Sequence, residues 1–193
     1  PGSSSTVSPV RSVDPSKIKG LQIVNNNSEN TSCAWATSYP DVPGASAMTE
    51  AMKKYVEGRL APFRSTCQEG QELNISHQIL VASGDVLGVR LSTQGGTTAG
   101  SGLSSGTYWY DGKAGAYRTA LALIADGSRD AFVTALKSRL RGREGTDADT
   151  VNGAFADRSA LPSTLDDMAF TADGGLRVIF DAGEVGAVPA GSY

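Results

Sequence analysis

The spacing of apolar positions along this chain switches between the period of a strand and the period of a helix. Lys19–Asn25 has the apolar density of a first strand, Asn25–Ser28 makes a turn, and Cys33–Tyr39 alternates as a second strand, so the two predict a hairpin. Pro40 and Pro43 close that strand. From about Ser46, Met48, Met52, Tyr55 or Val56, and Leu60 recur at steps of three and four, which predicts an amphipathic helix Ser46–Ala61 stopped by Pro62. Glu72–Ala82 and Val86–Thr93 flank Ser83-Gly84-Asp85, a compact hairpin signal. Strict alternation over the first of these puts Leu73, Ile75, His77, Ile79 and Val81 on one face.

A glycine-rich loop is expected over residues 95–106, followed by a strand Thr107–Asp111 and a short helix Tyr117–Ile124. Ser128 reads as the N-cap of a second long helix, with Asp130 in its first turn and Phe132, Leu136 and Leu140 as its buried stripe. Residues 142–158 read as a polar loop. Met168–Thr171 and Leu176–Asp181, joined through Asp173-Gly174-Gly175, predict a last hairpin. Hairpins separated by single helices indicate an α+β fold, a mainly antiparallel sheet with two main helices packed on one face.

Composition narrows the function classes. With 193 residues, 39% of them apolar and 19% charged, the chain is of ordinary globular character, expected as a flexible tail or linker over 1–17 and a single domain over 18–193. A net charge of −3, with both signs mixed, argues against nucleic acid as a partner. No apolar run reaches the roughly 18–20 residues that span a bilayer. The opening Pro1-Gly2-Ser3-Ser4-Ser5 reads as a trimmed start, which leaves room for an export signal, anchor or further domain outside the chain. The two cysteines, Cys33 and Cys67, would close a loop of about 33 residues and stabilise the chain by about 3–4 kcal/mol as a disulfide. Two buried free thiols in a cytosolic protein are the competing reading. The Ser, Thr, Asn and Gly around them favour the disulfide and a secreted or extracytoplasmic location.

The candidate chemistry is thin. The one histidine, His77, falls on an apolar strand face and reads as a satisfied core residue. A single histidine excludes a two-histidine zinc hydrolase helix, and no Cys-x-x-Cys pair replaces it. Gly102-Leu103-Ser104-Ser105-Gly106 matches a nucleophile elbow only in letters, since a loop precedes Ser104, a strand follows it, and the histidine lies upstream. The same loop lacks the Gly-Lys-Ser/Thr ending of a phosphate cradle. Asp147, Asp149, Asn152 and Gly153 are misplaced for a calcium loop, and Asp166-Asp167 are neighbours that point in different directions. Lys137, Arg139, Arg141 and Arg143 complement the dipole at the end of the second helix. No cofactor or metal is called for. The candidate contact surface is the 95–106 loop, with Thr97, Thr98 and Ser101, beside Tyr108, Trp109 and Tyr110, where alternation sets Trp109 opposite the two tyrosines. For that strand, core packing of both sides is the favoured reading and an exposed aromatic surface the alternative.

Three stretches carry a family likeness. These are Ser38-Tyr39-Pro40 before the helix Ser46–Ala61; Thr107–Asp111 with Gly115, leading to Leu121–Ile124 and the helix from Ser128; and Phe170, Gly174–Phe180, Gly183–Gly186 and Gly191. Together, over about 20–193, they resemble the extracytoplasmic domain of RsiV-type anti-sigma factors. The resemblance implies an α+β module at the bacterial cell envelope that binds and does not catalyse. One branch of that family recognises lysozyme, and a related module precedes the catalytic domain of some peptidoglycan deacetylases. Thr97-Thr98 departs from the histidine-containing turn of many members, so the partner does not carry over. The expectation is a monomeric, non-catalytic domain recognising a protein or a cell-wall glycan. The alternatives are an accessory domain of a larger wall hydrolase, or a serine esterase using Ser104.

Overall fold

A computed structural model describes residues 14, 16, 18–83, 85–96, 103–186 and 191–192. The expected first hairpin forms as β1 (Gln22–Asn27) antiparallel to β2 (Cys33–Asp41), with Asn25 opposite Ser38. The helix α1 (Ser46–Thr66) then crosses over to β3 (Gln71–Ala82), which lies parallel to β2. The antiparallel strands β4 (Val86–Gly95), β5 (Ser104–Asp111) and β6 (Ala116–Thr119) follow, completing a six-stranded sheet in the order β1-β2-β3-β4-β5-β6. A second sheet of three strands is made by β7 (Met168–Phe170), β8 (Leu176–Phe180) and β9 (Gly191–Ser192). The fold is α+β, and the mainly antiparallel sheet contains one parallel pair.

Helix α1 runs past Pro62, where the sequence expectation ended it. Its apolar stripe does not stop at Leu60 but continues through Phe63, 2% exposed, to Cys67, whose disulfide to Cys33 anchors the helix end against β2. The ring of Pro62 costs one helical hydrogen bond, and burial of Phe63 plus the crosslink offset that loss. Met48, Met52 and Val56 of the same stripe pack on Leu73, Ile75, Val89 and Leu91 from the sheet.

Helix α2 (Arg129–Leu140) does not join α1 on that face. Leu136 and Leu140 pack in a second cluster with Met168, Val178, Phe180 and Leu121, over the three-stranded sheet. The stretch expected as a short helix at Tyr117–Ile124 is divided, with Ala116–Thr119 in β6 and Ala120–Leu123 a single 3-10 turn. The region expected as a polar loop holds a helix, α3 (Ala148–Ala154), capped by Asp147, whose carboxylate accepts from the Thr150 N–H at 2.8 Å. Asp147 and Asp149 are therefore the cap and first turn of a helix instead of a calcium loop. A last short helix, α4 (Leu161–Thr164), leads into β7. In β3 a register shift between Ile79 and Val81 breaks the strict alternation, so Leu80 is buried and Val81 is not.

Candidate functional site

Strand β5 decides where the predicted contact residues go. Its pairing with β4 sets Tyr108 opposite Val89 and Tyr110 opposite Leu87, both on the α1 face, and Trp109 opposite Gly88 on the other. Trp109 is 1% exposed and lies over Gly88, where a Cβ would run into the indole ring. Its indole N–H donates to Thr107 Oγ1 at 3.1 Å, and Phe170 meets the ring edge-on. Tyr108 is held between Tyr55 of α1 and Tyr117 of β6, and burial pushes its hydroxyl pKa well up. Trp109 thus offers no aromatic surface to a partner. Tyr110 reaches an opening: its hydroxyl donates to the Gly44 carbonyl at 3.0 Å, and it lines a groove of about 360 Å³ with Ile18, Val42, Pro43 and Val86. Thr97, Thr98 and Ser101 lie outside the described residues. The loop itself is shorter than expected, since β4 extends to Gly95 and β5 begins at Ser104.

On the Trp109 side, the space between the two sheets holds buried charge beside the apolar cluster of Leu80, Trp109 and Ala169. Arg90 of β4 reaches Asp167, which is 0% exposed, through Nε at 3.0 and 3.2 Å and Nη2 at 2.9 Å, a two-pronged ion pair. The Ser105 hydroxyl donates to the same carboxylate. Thr107 stitches the sheets together: its N–H donates to the Asp166 carbonyl at 2.7 Å and its hydroxyl to the Met168 carbonyl at 3.0 Å. Asp181 Oδ1 accepts from the Ser105 N–H at 3.0 Å, and Glu184 Oε2 accepts from the Asp181 N–H at 2.7 Å.

These carboxylates crowd one another. Burial, with help from Asp181, Glu184 and Asp167, pushes the Asp166 pKa up to about 8. Burial likewise pushes Glu184 to about 7, and it raises Asp181 against the opposing Ser105 N–H bond. Asp166 and Asp167 do diverge as their adjacency predicts, one toward the carboxylate group and one onto Arg90. No local pattern marks Arg90 for burial, because a charge inside an alternating strand reads as solvent-facing. Only the arrival of Asp167, 77 positions away, makes that burial tolerable.

The candidate chemical groups are committed elsewhere. His77 is half-buried, its Nδ1 lies 2.8 Å from Ser38 Oγ, and burial lowers its pKa. Ser104 sits in β5, where its hydroxyl accepts from Arg59 Nη2 at 3.4 Å. That guanidinium also lies over the Tyr55 ring, 5.5 Å from its centre. Among the described residues, no group of three or more His, Cys, Asp or Glu side chains could hold a metal ion.

The disulfide Cys33–Cys67 closes with its Cα atoms 6.2 Å apart. Beside it opens a second groove, of about 500 Å³, between the β1–β2 turn and the end of α1. No helix among the described residues is long and apolar enough to cross a membrane.

No family model matches the chain, and no curated protein is significantly similar to it. Solved structures share its fold, among them two of one family. A DUF3298 family protein from Pseudomonas aeruginosa PAO1 superposes with a TM-score of 0.53 at 13% identity, over 91% of this chain and 90% of that one. A member of the same family from Bacteroides fragilis gives a TM-score of 0.52 at 8% identity, over 90% and 89%. At these identities the likeness concerns architecture, and the chain has the fold of the DUF3298 proteins, a bacterial domain family.

Proposed function

We propose that this chain is an extracytoplasmic, non-catalytic binding domain of a bacterial cell envelope, recognising a protein or a cell-wall glycan. The observation that carries the reading is where its reactive side chains are spent. The histidine bonds to Ser38, while Ser104 is bonded by Arg59 instead of an imidazole. Asp167 and Ser105 are locked onto Arg90. A working nucleophile needs a free base oriented by a third group: Ser104 meets a guanidinium, the carboxylate that Ser105 meets is already paired with Arg90, and among the described residues no carboxylate bonds the His77 ring that meets Ser38. Open grooves beside a disulfide-tied frame supply binding surface in its place. The disulfide accords with an oxidising compartment, and the DUF3298 fold with a bacterial module.

The test is a pull-down and titration of the purified protein against insoluble peptidoglycan and lysozyme in parallel, with aryl-ester hydrolysis measured alongside. Saturable binding to either, without hydrolysis, is the expected result. Ester hydrolysis lost in Ser104→Ala would overturn the reading in favour of an esterase.

A further inference from the structure

The groove beside the disulfide has the chemistry of a sugar site. Its floor is Trp35 of β2 and Phe63 of α1, and the half-buried Trp35 donates its indole N–H to nothing among the described residues. One wall is the β1–β2 turn, with the exposed side chains of Asn27, Glu29 and Asn30; the other is the last part of α1, with Arg64. The volume of about 500 Å³ falls in the range of small-ligand sites, roughly 300–1,000 Å³.

Three features select the ligand class. First, an indole surface beside planar amides suits a pyranose, which is apolar across its C–H face and rimmed with hydroxyls. Second, Glu29 and Arg64 cancel in charge, and neither has an ion-pair partner among the described residues, so the lining favours a neutral ligand needing both donors and acceptors. Third, the polar wall is held in place before any ligand arrives. The Trp35 backbone N–H donates to Ser28 Oγ at 3.0 Å, and the Ser28 backbone N–H donates to the Trp35 carbonyl at 2.8 Å. Asn30 Oδ1 accepts from the Ser32 N–H at 2.8 Å, which leaves its NH₂ to donate outward. The Cys33–Cys67 bond ties this hairpin to the end of α1, so the two walls cannot drift apart.

We propose that this groove is a saccharide subsite, taking a neutral pyranose with its flat face on Trp35 and its hydroxyls on Asn30, Glu29 and Arg64. The proposal rests on the binding-domain reading above and names its ligand class and place.

The experiment titrates the intact protein with a β-1,4-linked N-acetylglucosamine tetramer and, separately, with cellotetraose, following tryptophan emission. Of the two tryptophans Trp109 is buried, so a ligand-dependent change reports Trp35. A saturable response to at least one tetrasaccharide is expected, with affinity lowered several-fold in Arg64→Ala; in Trp35→Ala, which lacks the emission reporter, calorimetry should show affinity lowered about tenfold or more. Because Trp35→Ala also removes packing, Asn30→Ala on the exposed turn is the second variant, followed calorimetrically with its thermal midpoint checked against the parent. Absence of a saturable response to both sugars, or full affinity in both Asn30→Ala and Arg64→Ala, overturns the assignment. Peptidoglycan or lysozyme capture that persists in Asn30→Ala/Arg64→Ala would overturn the groove and leave the binding-domain reading intact.

Discussion

The two faces of the six-stranded sheet are built from the same strands and solved in opposite ways. On the α1 face, Leu87, Val89 and Leu91 of β4 meet Met48, Met52 and Val56, an interface of apolar contacts with tyrosines at its edge. On the opposite face the intervening residue of β4 is Arg90, and the C-terminal sheet is fastened through Asp167, Ser105 and Thr107. The apolar interface tolerates small misfits and contains no ion pair among the described residues. The polar one depends on every partner being present, since an unmatched buried charge costs more than a lost methyl group. The C-terminal half is therefore joined by specificity as much as by burial.

The sharpest way to break the comparison is to orphan one charge. Asp167→Ala leaves Arg90 buried without its partner and is expected to cost about 3–5 kcal/mol in urea unfolding. Replacing the group together, as Arg90→Met with Asp167→Leu and Ser105→Ala, should cost far less. If the triple variant were as unstable as Asp167→Ala, the ion pair would be contributing attraction in its own right. On the α1 face, losing the crosslink in Cys33→Ala/Cys67→Ala should lower stability by about 3–4 kcal/mol, read from the same unfolding curves. Its effect should be independent of pH.

The polar junction, by contrast, should respond to pH. Asp166 and Glu184 hold their protons to about pH 8 and 7 in the folded protein, and would release them near pH 4 when unfolded. Between those values the native state binds more protons, so their contribution to stability falls as pH rises from about 4 to 8 and then levels off. The lowered pKa of His77 acts with the opposite sign, removing stability as pH drops below its ordinary value of 6.5. The difference between the parent and Asp166→Asn isolates the junction: the variant should lose much of the decline above pH 5 and keep the histidine limb. An unchanged slope would mean that Asp166 is ionised in the fold. The smallest effect is local. Asp147→Ala removes the cap of α3 and should lower the thermal midpoint slightly near neutral pH; the difference from the parent should shrink in acid, because the Thr150 bonds hold the Asp147 carboxyl below its ordinary pKa and are lost when it is protonated.

Much of the fold was legible because it is written in short-range periodicity. The β1–β2 hairpin, the start of α1, the β3–β4 hairpin and the β7–β8 hairpin each follow from alternation or from steps of three and four, bounded by turn residues. The errors were local signals outvoted by contacts. Pro62 is a helix breaker in isolation, yet Phe63 and Cys67 hold the turn that contains it; the stripe continuing through both was the available clue. Asp147 reads as part of a polar loop, although the Thr three residues on marks it as a cap. The candidate contact strand was found correctly as a strand, but its alternation could not say that both faces would be covered, because the second cover comes from residues some sixty positions later.

By itself the sequence determined the α+β class, the order of most elements, the cysteine pair and the scarcity of catalytic groups, since each depends on neighbours in the chain or on composition alone. The tertiary structure decided which sides of those elements are covered. It sank Trp109, gathered Arg90 with Asp167 and the acids around Asp166, sent α2 away from α1, and opened the Trp35 groove beside the disulfide. Burial and charge pairing are properties of residues distant in sequence, and no local pattern encodes them.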